Sequence, residues 1–589
     1  MPAKSLVVID IGSVQTRALL FAQVEDRFRF VSAASAPTSL RGRDPDVAMG
    51  VLYALEHLSR LSERPLLDPQ GSPIYPERAD GAGADRYLVT LSAAPPLRAV
   101  IGGLSPDWSL ASLRRATAAA PVQVVSTLSV VATDGRRPTE EEWLSALVEA
   151  EPDVVLIAGG MEQGAARPVR ALLETAMLAA RLRPEDRRPL VIFAGNASLR
   201  EEAVALAGRE VPLRVLPNVR PRPEAEQIGP VVEALEARYL ERASGVLPGL
   251  PLVQGWASAS MRSTARALAH VVRYLSLEAP ERAVLLVDLG GSQTTLIAAR
   301  AGALAQVVRH GSGVGLGILP LYQRRGGEAV ARWLPREIPP EQLEAFAWMK
   351  ALHPATLPQT LEDMWLELAF AREAMAEAWE TMAGLWPELS RPTIAFEPIL
   401  LTGGLFAAHA RPGALALAVL DALQPVGLTT LLWDPVGVLA GVGALAEVEP
   451  GLAVEALTGR PWIPLATVLA PALEGAVAPD ELLFTVEVHH RSPEGATATY
   501  EIEVRGGRLE VVPIPSRGET ELRRFRLRRP VDLGWGPRRA PRRIRIAGGL
   551  LGLIIDGRGR PLQWARDPAA RLEQIARWLW DVGALGGSL

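Results

Sequence analysis

The chain has 589 residues, 48% of them hydrophobic and 22% charged, and a formal net charge of −4. That length is too great for one compact core and predicts roughly three to five structural units, while the composition excludes a disordered or fibrous chain and the near balance of charge says little about partners. Cysteine is absent, which excludes disulfides, thiolate metal sites and a cysteine nucleophile and fits an intracellular protein.

In chain order, residues 6–11 form a continuous apolar run of the buried-strand type, Gly12-Ser13 supplies a turn, and 17–24 resumes a strand-like pattern. No secretory leader is expected, because that first run meets Asp10 directly. A third strand near 28–33 and a helix over 46–61 follow, then a surface loop over 62–85 rich in Pro, Gly and Asp. From about 88 to 217, apolar strands at 87–92, 122–131, 153–158, 190–194 and 213–216 alternate with helices such as 140–150 and 169–182, which predicts parallel βαβ units. Residues 224–244 and 261–277 are helical by period.

A second strand–turn–strand begins at 285–289, with Gly290-Gly291 at its turn. Residues 341–389 predict a helical insertion, and 399–446 a last α/β piece. The most apolar stretch, 414–446, is broken by Asp421, Pro425, Asp434 and Pro435, so no membrane span is expected and a cytoplasmic location follows. Beyond about 450, strands at 482–488, 499–504 and 509–512, joined at Gly506-Gly507, predict a small antiparallel β module. The stretch 548–560 is another apolar strand ending in Asp-Gly, read as a hairpin turn, and a helix over 568–582 closes the chain.

Three pieces point to function. Val7-Val8-Ile9-Asp10-Ile11-Gly12-Ser13-Val14-Gln15-Thr16 is an apolar strand ending in Asp, then Gly-Ser, a spacer and a Thr that opens the next strand. Leu285-Leu286-Val287-Asp288-Leu289-Gly290-Gly291-Ser292-Gln293-Thr294 repeats that grammar. A turn free of bulky side chains lets backbone N–H groups face phosphate oxygens, Ser and Thr add hydroxyl donors, and an Asp at the strand end can hold hydrated Mg2+. The third piece, Ile399-Leu400-Leu401-Thr402-Gly403-Gly404-Leu405-Phe406, runs a strand into glycines that allow a nucleoside close to the backbone. Two acidic turns can clamp a triphosphate from both sides, and phosphoryl chemistry needs little beyond positioning and charge neutralisation. Gly313, Gly315 and Gly317 follow the second turn and read as a plain loop. Only Lys4 and Lys350 are lysines, so a phosphate-clamping lysine inside the chain has only Lys350 to draw on, in a stretch that reads as helical.

In this order the three pieces resemble the phosphate 1, phosphate 2 and adenosine motifs of the actin-like ATPase superfamily, and 435–444, with Gly437, Gly441 and Gly443, resembles its second connecting helix. The resemblance implies an α/β chain with the two-lobed actin-like (ribonuclease H-like) ATPase fold. Its first lobe would span 1–277 with an α/β insertion at about 88–220, and its second 278–450 with a helical insertion at about 330–390. A β-rich module at 451–589 would follow, ending in a helix. It further implies ATP and Mg2+ as ligands, with Asp10 and Asp288 organising the metal and the attacking water. Gly12, Ser13, Thr16, Gly290, Gly291, Ser292, Thr294, Gly403 and Gly404 would border the nucleotide.

Within the superfamily, Asp153-Val154-Val155-Leu156-Ile157-Ala158-Gly159-Gly160, Val191-Ile192-Phe193-Ala194-Gly195-Asn196 and Val215-Leu216-Pro217-Asn218-Val219-Arg220-Pro221 resemble the GlmL/MutL family, accessory proteins associated with cobalamin-dependent glutamate mutase. Met161-Glu162-Gln163-Gly164 departs from that family's small residue, Asp and two glycines. The resemblance implies an ATPase acting in a chaperone-like manner on a partner protein, a cobalamin-dependent mutase. A small-molecule kinase and an actin-like scaffold or filament protein stand as alternatives. The arginine-rich run 517–545 reads as a solvated strand face rather than a nucleic-acid surface, and the terminal helix, with cancelling charges, as packed on the β module.

Overall fold

The computed structural model describes residues 3–41, 44–131, 136–390, 394–409, 411–473, 475, 477–514, 518–536 and 539–585. The chain divides into two units, one of residues 1–93, 248–305 and 311–589 and the other of 94–247 and 306–310.

In the smaller unit, the strands Leu97–Gly103, Val122–Ser129, Val154–Ile157, Leu190–Phe193 and Leu213–Val215 are all parallel, in the spatial order 122–129, 97–103, 154–157, 190–193, 213–215. The alternation of strand and helix in the sequence predicts this arrangement. The strand Val154–Ile157 is apolar at every position and wholly buried, as strands covered on both faces are. Helix Arg167–Arg181 presents Val169, Leu172, Leu173, Ala176 and Ala180 at helical spacing to that core. Helix Glu140–Ala150 opens with a reciprocal capping box between Thr139 and Glu142, a device that stabilises a helix start by about 1 kcal/mol.

The larger unit contains one sheet topology twice. In the first sheet the hairpin Ser5–Ile11/Gln15–Val24 is flanked by Arg27–Pro37 on one side, and on the other by the parallel strands Arg86–Leu91 and Arg262–Ser263. In the second, the hairpin Ala283–Leu289/Gln293–Arg300 lies beside the parallel strands Phe396–Thr402 and Gly427–Trp433. This duplicated order is the two-lobed actin-like arrangement. Between the sheets, helices Thr264–Glu278 and Val438–Val448 pack in one core with Leu6, Val8, Leu19, Phe21, Leu286 and Ile297. Their close approach needs Gly443, since a Cβ there would sit 1.8 Å from the Ala267 carbonyl oxygen.

Two regions differ from the sequence expectation. The helical insertion is not continuous: Pro340–Leu352 and Leu361–Leu385 are separate helices, the break falling at Pro354 and the second helix starting on a Thr360–Asp363 capping box. The C-terminal strands do not all share one sheet. Leu482–Arg491, Thr497–Arg505, Glu519–Leu527 and Arg543–Ile546 form a four-stranded antiparallel sheet, but Leu509–Val512 pairs with Leu553–Asp556, which runs parallel to Ile463–Ala470 in the large sheet. Gly506-Gly507 therefore carries the chain from one sheet to another instead of turning a hairpin.

Buried charge explains why Asp556-Gly557 is not a hairpin turn either. Asp556 accepts from Arg558 and Arg560, and Arg558 also reaches Asp421, which pairs with Arg372 of helix Leu361–Leu385. All five side chains are buried, so each ion depends on its partners, and removing one leaves an uncompensated charge. In the arginine run, Arg524, Arg526, Arg543 and Arg545 are exposed and meet Glu487, Glu501 and Glu521, while Arg517 and Arg538 lie outside the described residues. Among the described residues no helix is long and apolar enough to cross a membrane. The last helix, Pro568–Asp581, buries Ile575, Trp578 and Leu579, and the Trp578 indole donates to the Gly507 carbonyl at 2.9 Å.

Candidate functional site

The two acidic turns are built alike. In the first, Ile11 pairs with Thr16 and the Gly12 amide donates to the Gln15 carbonyl at 3.0 Å; in the second, Leu289 pairs with Thr294 and the Gly290 amide donates to Gln293, also at 3.0 Å. A Cβ on Gly12 would lie 2.7 Å from the Gln15 oxygen, and one on Gly291 would lie 2.3 Å from Val14 Cγ2 and 3.5 Å from Ser13 Oγ. The tips of the two turns therefore meet at Gly291, where a side chain would part them, whereas one at Gly12 would strike its own turn.

Both turns face one cavity that is open to solvent. Asp10, Gly12, Ser13, Asp288, Gly290, Gly291, Ser292, Gly403 and Gly404 line it. Thr16 and Thr294, expected beside the nucleotide, are turned away from it. Directly paired strand residues share a face, so Thr16 shares the face of Ile11 and Thr294 that of Leu289, while Asp10 shares its face with Arg17 and Asp288 with Thr295. Thr16 Oγ1 instead meets Thr38 Oγ1 at 2.9 Å, and Thr294 donates to the Ser312 carbonyl. These hydroxyls brace the turns from behind.

Asp10 is nearly buried and fixed by three neighbours. Its Oδ1 accepts from Thr90 at 2.8 Å and from Thr264 at 2.7 Å, while Oδ2 lies 3.7 Å from Arg17. Thr90 sits opposite Asp10 on the parallel strand, and Thr264 is the first residue of the helix capped by Ser263. Asp288 keeps partial exposure at the cavity, yet burial first, and the Asp10 carboxylate next, push its pKa up to about 7, against the pull of Arg17. Gly403 lies against it: φ is +103°, and a Cβ would be 2.4 Å from Asp288 Oδ1. Only glycine suits that position, whereas a Cβ at Gly404 would meet nothing within 4 Å.

Asp434 lies behind the cavity wall. It is fully buried, takes the amides of Gly437, Val438 and Leu439 at 2.9–3.0 Å and the Thr402 hydroxyl at 3.0 Å, and so caps helix Val438–Val448. Burial raises its pKa while those hydrogen bonds oppose the rise. The glycines at 313, 315 and 317 form a loop packed under the second turn, with the amides of Gly315 and Gly317 both donating to the Gly291 carbonyl at 2.9 Å. Val314 and Gly315 thereby reach the cavity wall, so this loop is part of the site. The wall also includes Lys350, Pro354, Thr356, Leu357 and Glu367 from the helical insertion.

Sequence reasoning missed Thr90, Thr264, Arg17, Asp434 and Glu367. The hairpin register is a signal that would have found Arg17. The others reach the site by long-range packing and leave no local trace.

Comparison with the curated proteins finds no match. Among solved structures, the nucleotide-free structure of acetone carboxylase is 11% identical, with 85% of this chain and 81% of that chain covered and a TM-score of 0.32. The diol dehydratase-reactivating factor in nucleotide-free form is 11% identical over 78% of this chain and 99% of that chain, with a TM-score of 0.29. Component A of (R)-2-hydroxyglutaryl-CoA dehydratase from Acidaminococcus fermentans is 9% identical over 76% of this chain and 99% of that chain, with a TM-score of 0.27. Residues 6–459 match the family described as MutL protein, and the chain belongs to this MutL family, the one related to glutamate mutase and distinct from the DNA protein of the same name.

Proposed function

We propose that the chain binds MgATP in the cavity between the two acidic turns, hydrolyses it, and couples that cycle to a partner protein, a cobalamin-dependent mutase. The observation that carries the reading is that Asp10 and Asp288, from two equivalent hairpins 278 positions apart in sequence, line one cavity together with glycine-rich turns whose tips touch. Backbone amides and hydroxyls of Gly12-Ser13 and Gly290-Gly291-Ser292 supply donors for phosphate oxygens from two sides. The partner class rests on membership of the MutL family.

The residues fit a magnesium ion brought in with the nucleotide. Two carboxylates, Asp10 and Asp288, line the cavity with a single guanidinium, Arg17, an excess of one negative charge; burial first and the Asp10 carboxylate next raise the pKa of Asp288. A divalent cation relieves that excess, and magnesium is commonly bound by one or two carboxylates plus substrate phosphates. Bound there, it supplies charge neutralisation for the phosphoryl group.

Asp10, held by Thr90 and Thr264, offers a fixed acceptor for a water molecule. Asp288 faces the same cavity from the second turn and offers a second acceptor for that water. The test is steady-state ATP turnover of Asp10→Ala and Asp288→Ala: both are expected to lose Mg-dependent hydrolysis, and undiminished turnover in both would remove the assignment.

A further inference from the structure

Helix Pro340–Leu352 has two dissimilar faces. With about 100° of rotation per residue, Leu343, Phe346, Ala347 and Lys350 fall on one side. Leu343, Ala347 and Lys350 are buried there, and Phe346 stacks on Phe370 of helix Leu361–Leu385 with ring centroids 5.9 Å apart. The opposite side carries Glu341, Ala345, Trp348 and Leu352, spaced i, i+4, i+7 and i+11, flanked by Glu344 and Met349. All six of these residues are exposed. Trp348, Met349 and Leu352 are 51%, 59% and 60% exposed, and the i, i+3 and i, i+4 spacings make them neighbours on the helix surface. Exposed apolar side chains standing singly are ordinary, whereas an adjoining group of Trp, Met and Leu marks an interaction surface.

The composition of the face says what covers it. Tryptophan is enriched at the energetic centres of protein interfaces, and methionine adapts its shape to a partner. At the N-terminal end of the stripe, Glu341 and Glu344 make no ion pair among the described residues. Other glutamates nearby do: Glu362 pairs with Arg336, Glu373 with Arg325 and Arg332, and Glu377 with Arg324. Two unpaired carboxylates beside an apolar stripe complement a surface that is apolar and basic. A helix face has no open backbone edge for a strand to pair with, but a second helix can pack its side chains between those spaced i and i+4.

We propose that this face of helix Pro340–Leu352 docks the partner protein, and that it receives an amphipathic helix. The apolar side of that helix covers Trp348, Met349 and Leu352, and its lysines or arginines meet Glu341 and Glu344. The proposal rests on the reading that the chain acts on a partner protein and adds the surface and the chemistry that hold it. Lys350, on the other face of the same helix, lines the cavity, so the docking surface and the cavity share one element.

The test is binding to the full chain of two labelled helical peptides, one of leucine and lysine and one of leucine and glutamate in the same amphipathic pattern, read by fluorescence anisotropy. Wild type is expected to bind the lysine peptide about tenfold or more tightly than the glutamate peptide, and Trp348→Ala to lose about tenfold in affinity for it. Glu341→Gln with Glu344→Gln should lose about threefold and flatten the salt dependence. Trp580→Ala, which removes another exposed tryptophan, should change nothing.

Equal binding of the two peptides by wild type overturns the proposal, as does undiminished binding by Trp348→Ala. A wild-type dimer in analytical ultracentrifugation that Trp348→Ala converts to monomer assigns the face to a second copy and overturns it too. Purified cobalamin-dependent mutase from the same cells is the second probe: weaker binding to Trp348→Ala than to wild type supports the docking surface, and equal binding to both overturns it. If the mutase binds neither while the peptides behave as expected, the partner class fails and the surface stands. The wild-type peptide comparison holds whether or not a variant folds.

Discussion

Replacing Asp288 with asparagine is expected to stabilise the ligand-free protein relative to wild type by an amount that grows from about pH 4 to about pH 7 and then levels off. Burial and the neighbouring Asp10 and Asp434 carboxylates raise the Asp288 pKa from 3.8 to about 7, with Arg17 pulling the other way. In the unfolded chain the same carboxyl titrates near 4. Between those values the folded state keeps a proton that the unfolded state has released, so stability is fully present below about pH 4 and is lost as pH rises to about 7. The whole shift of about three units corresponds to a ceiling of about 4 kcal/mol, and the part between pH 5 and 7 to about 3 kcal/mol. Solvent in the open cavity lowers the observable share to about 1–2 kcal/mol.

D288N keeps the shape and removes the charge, so it escapes this loss. Urea midpoints of wild type and D288N, measured at pH 5 and pH 8 without nucleotide or divalent cation, are expected to diverge in favour of the variant at pH 8. Adding MgATP at pH 8 then stabilises wild type alone, since binding to the folded state adds stability in proportion to occupancy. A variant less stable than wild type at pH 8 without ligand refutes the reasoning, because it would mean that the Asp288 carboxylate is favourably paired in the empty site.

Gly403→Ala should lower the unfolding temperature and abolish nucleotide binding, at a cost of about 2 kcal/mol or more, because it forces a Cβ onto Asp288 at positive φ. Gly404→Ala, with open space at its Cβ, should leave the unfolding free energy within about 0.5 kcal/mol of wild type. Thr264→Val removes one of the two hydroxyls on Asp10 Oδ1 and is expected to reduce ATP turnover about tenfold, with the circular dichroism spectrum unchanged. Arg41 donates to the carbonyls of Ala351 and Leu352 at 2.7 and 3.3 Å, at the end of the helix that carries Lys350. Arg41→Ala should therefore speed release of a fluorescent ATP analogue several-fold in stopped flow, with the maximal occupancy unaltered.

What the sequence made legible was local. Strand, turn and Asp stand side by side in residues 7–16 and 285–294, and the run of buried apolar residues before each Asp identifies an inner strand, so both hairpins and the glycine strand end at 403–404 could be read directly. The side on which a threonine falls follows from pairing register, and one position of slip moves it to the other face. Taking Thr16 and Thr294 for cavity residues overlooked that alternation. Thr264 meets Asp10 across 254 positions and Thr90 across 80, distances over which periodicity carries no information. Lys350 reads as an ordinary helical residue, and its place in the cavity depends on the break at Pro354 that lets the following turn fold over the site. The C-terminal strands look like one module because each alternates properly. That Leu553–Asp556 enters the large sheet depends on the buried partners of Asp556 on helices far away in sequence.

The most direct test of the central claim is a crystal structure of the full chain with magnesium and a non-hydrolysable ATP analogue. The account predicts the triphosphate between Gly12-Ser13 and Gly290-Gly291-Ser292, with the metal beside the carboxylates of Asp10 and Asp288. A nucleotide bound elsewhere on the chain, with this cavity empty at saturating ligand, would contradict it.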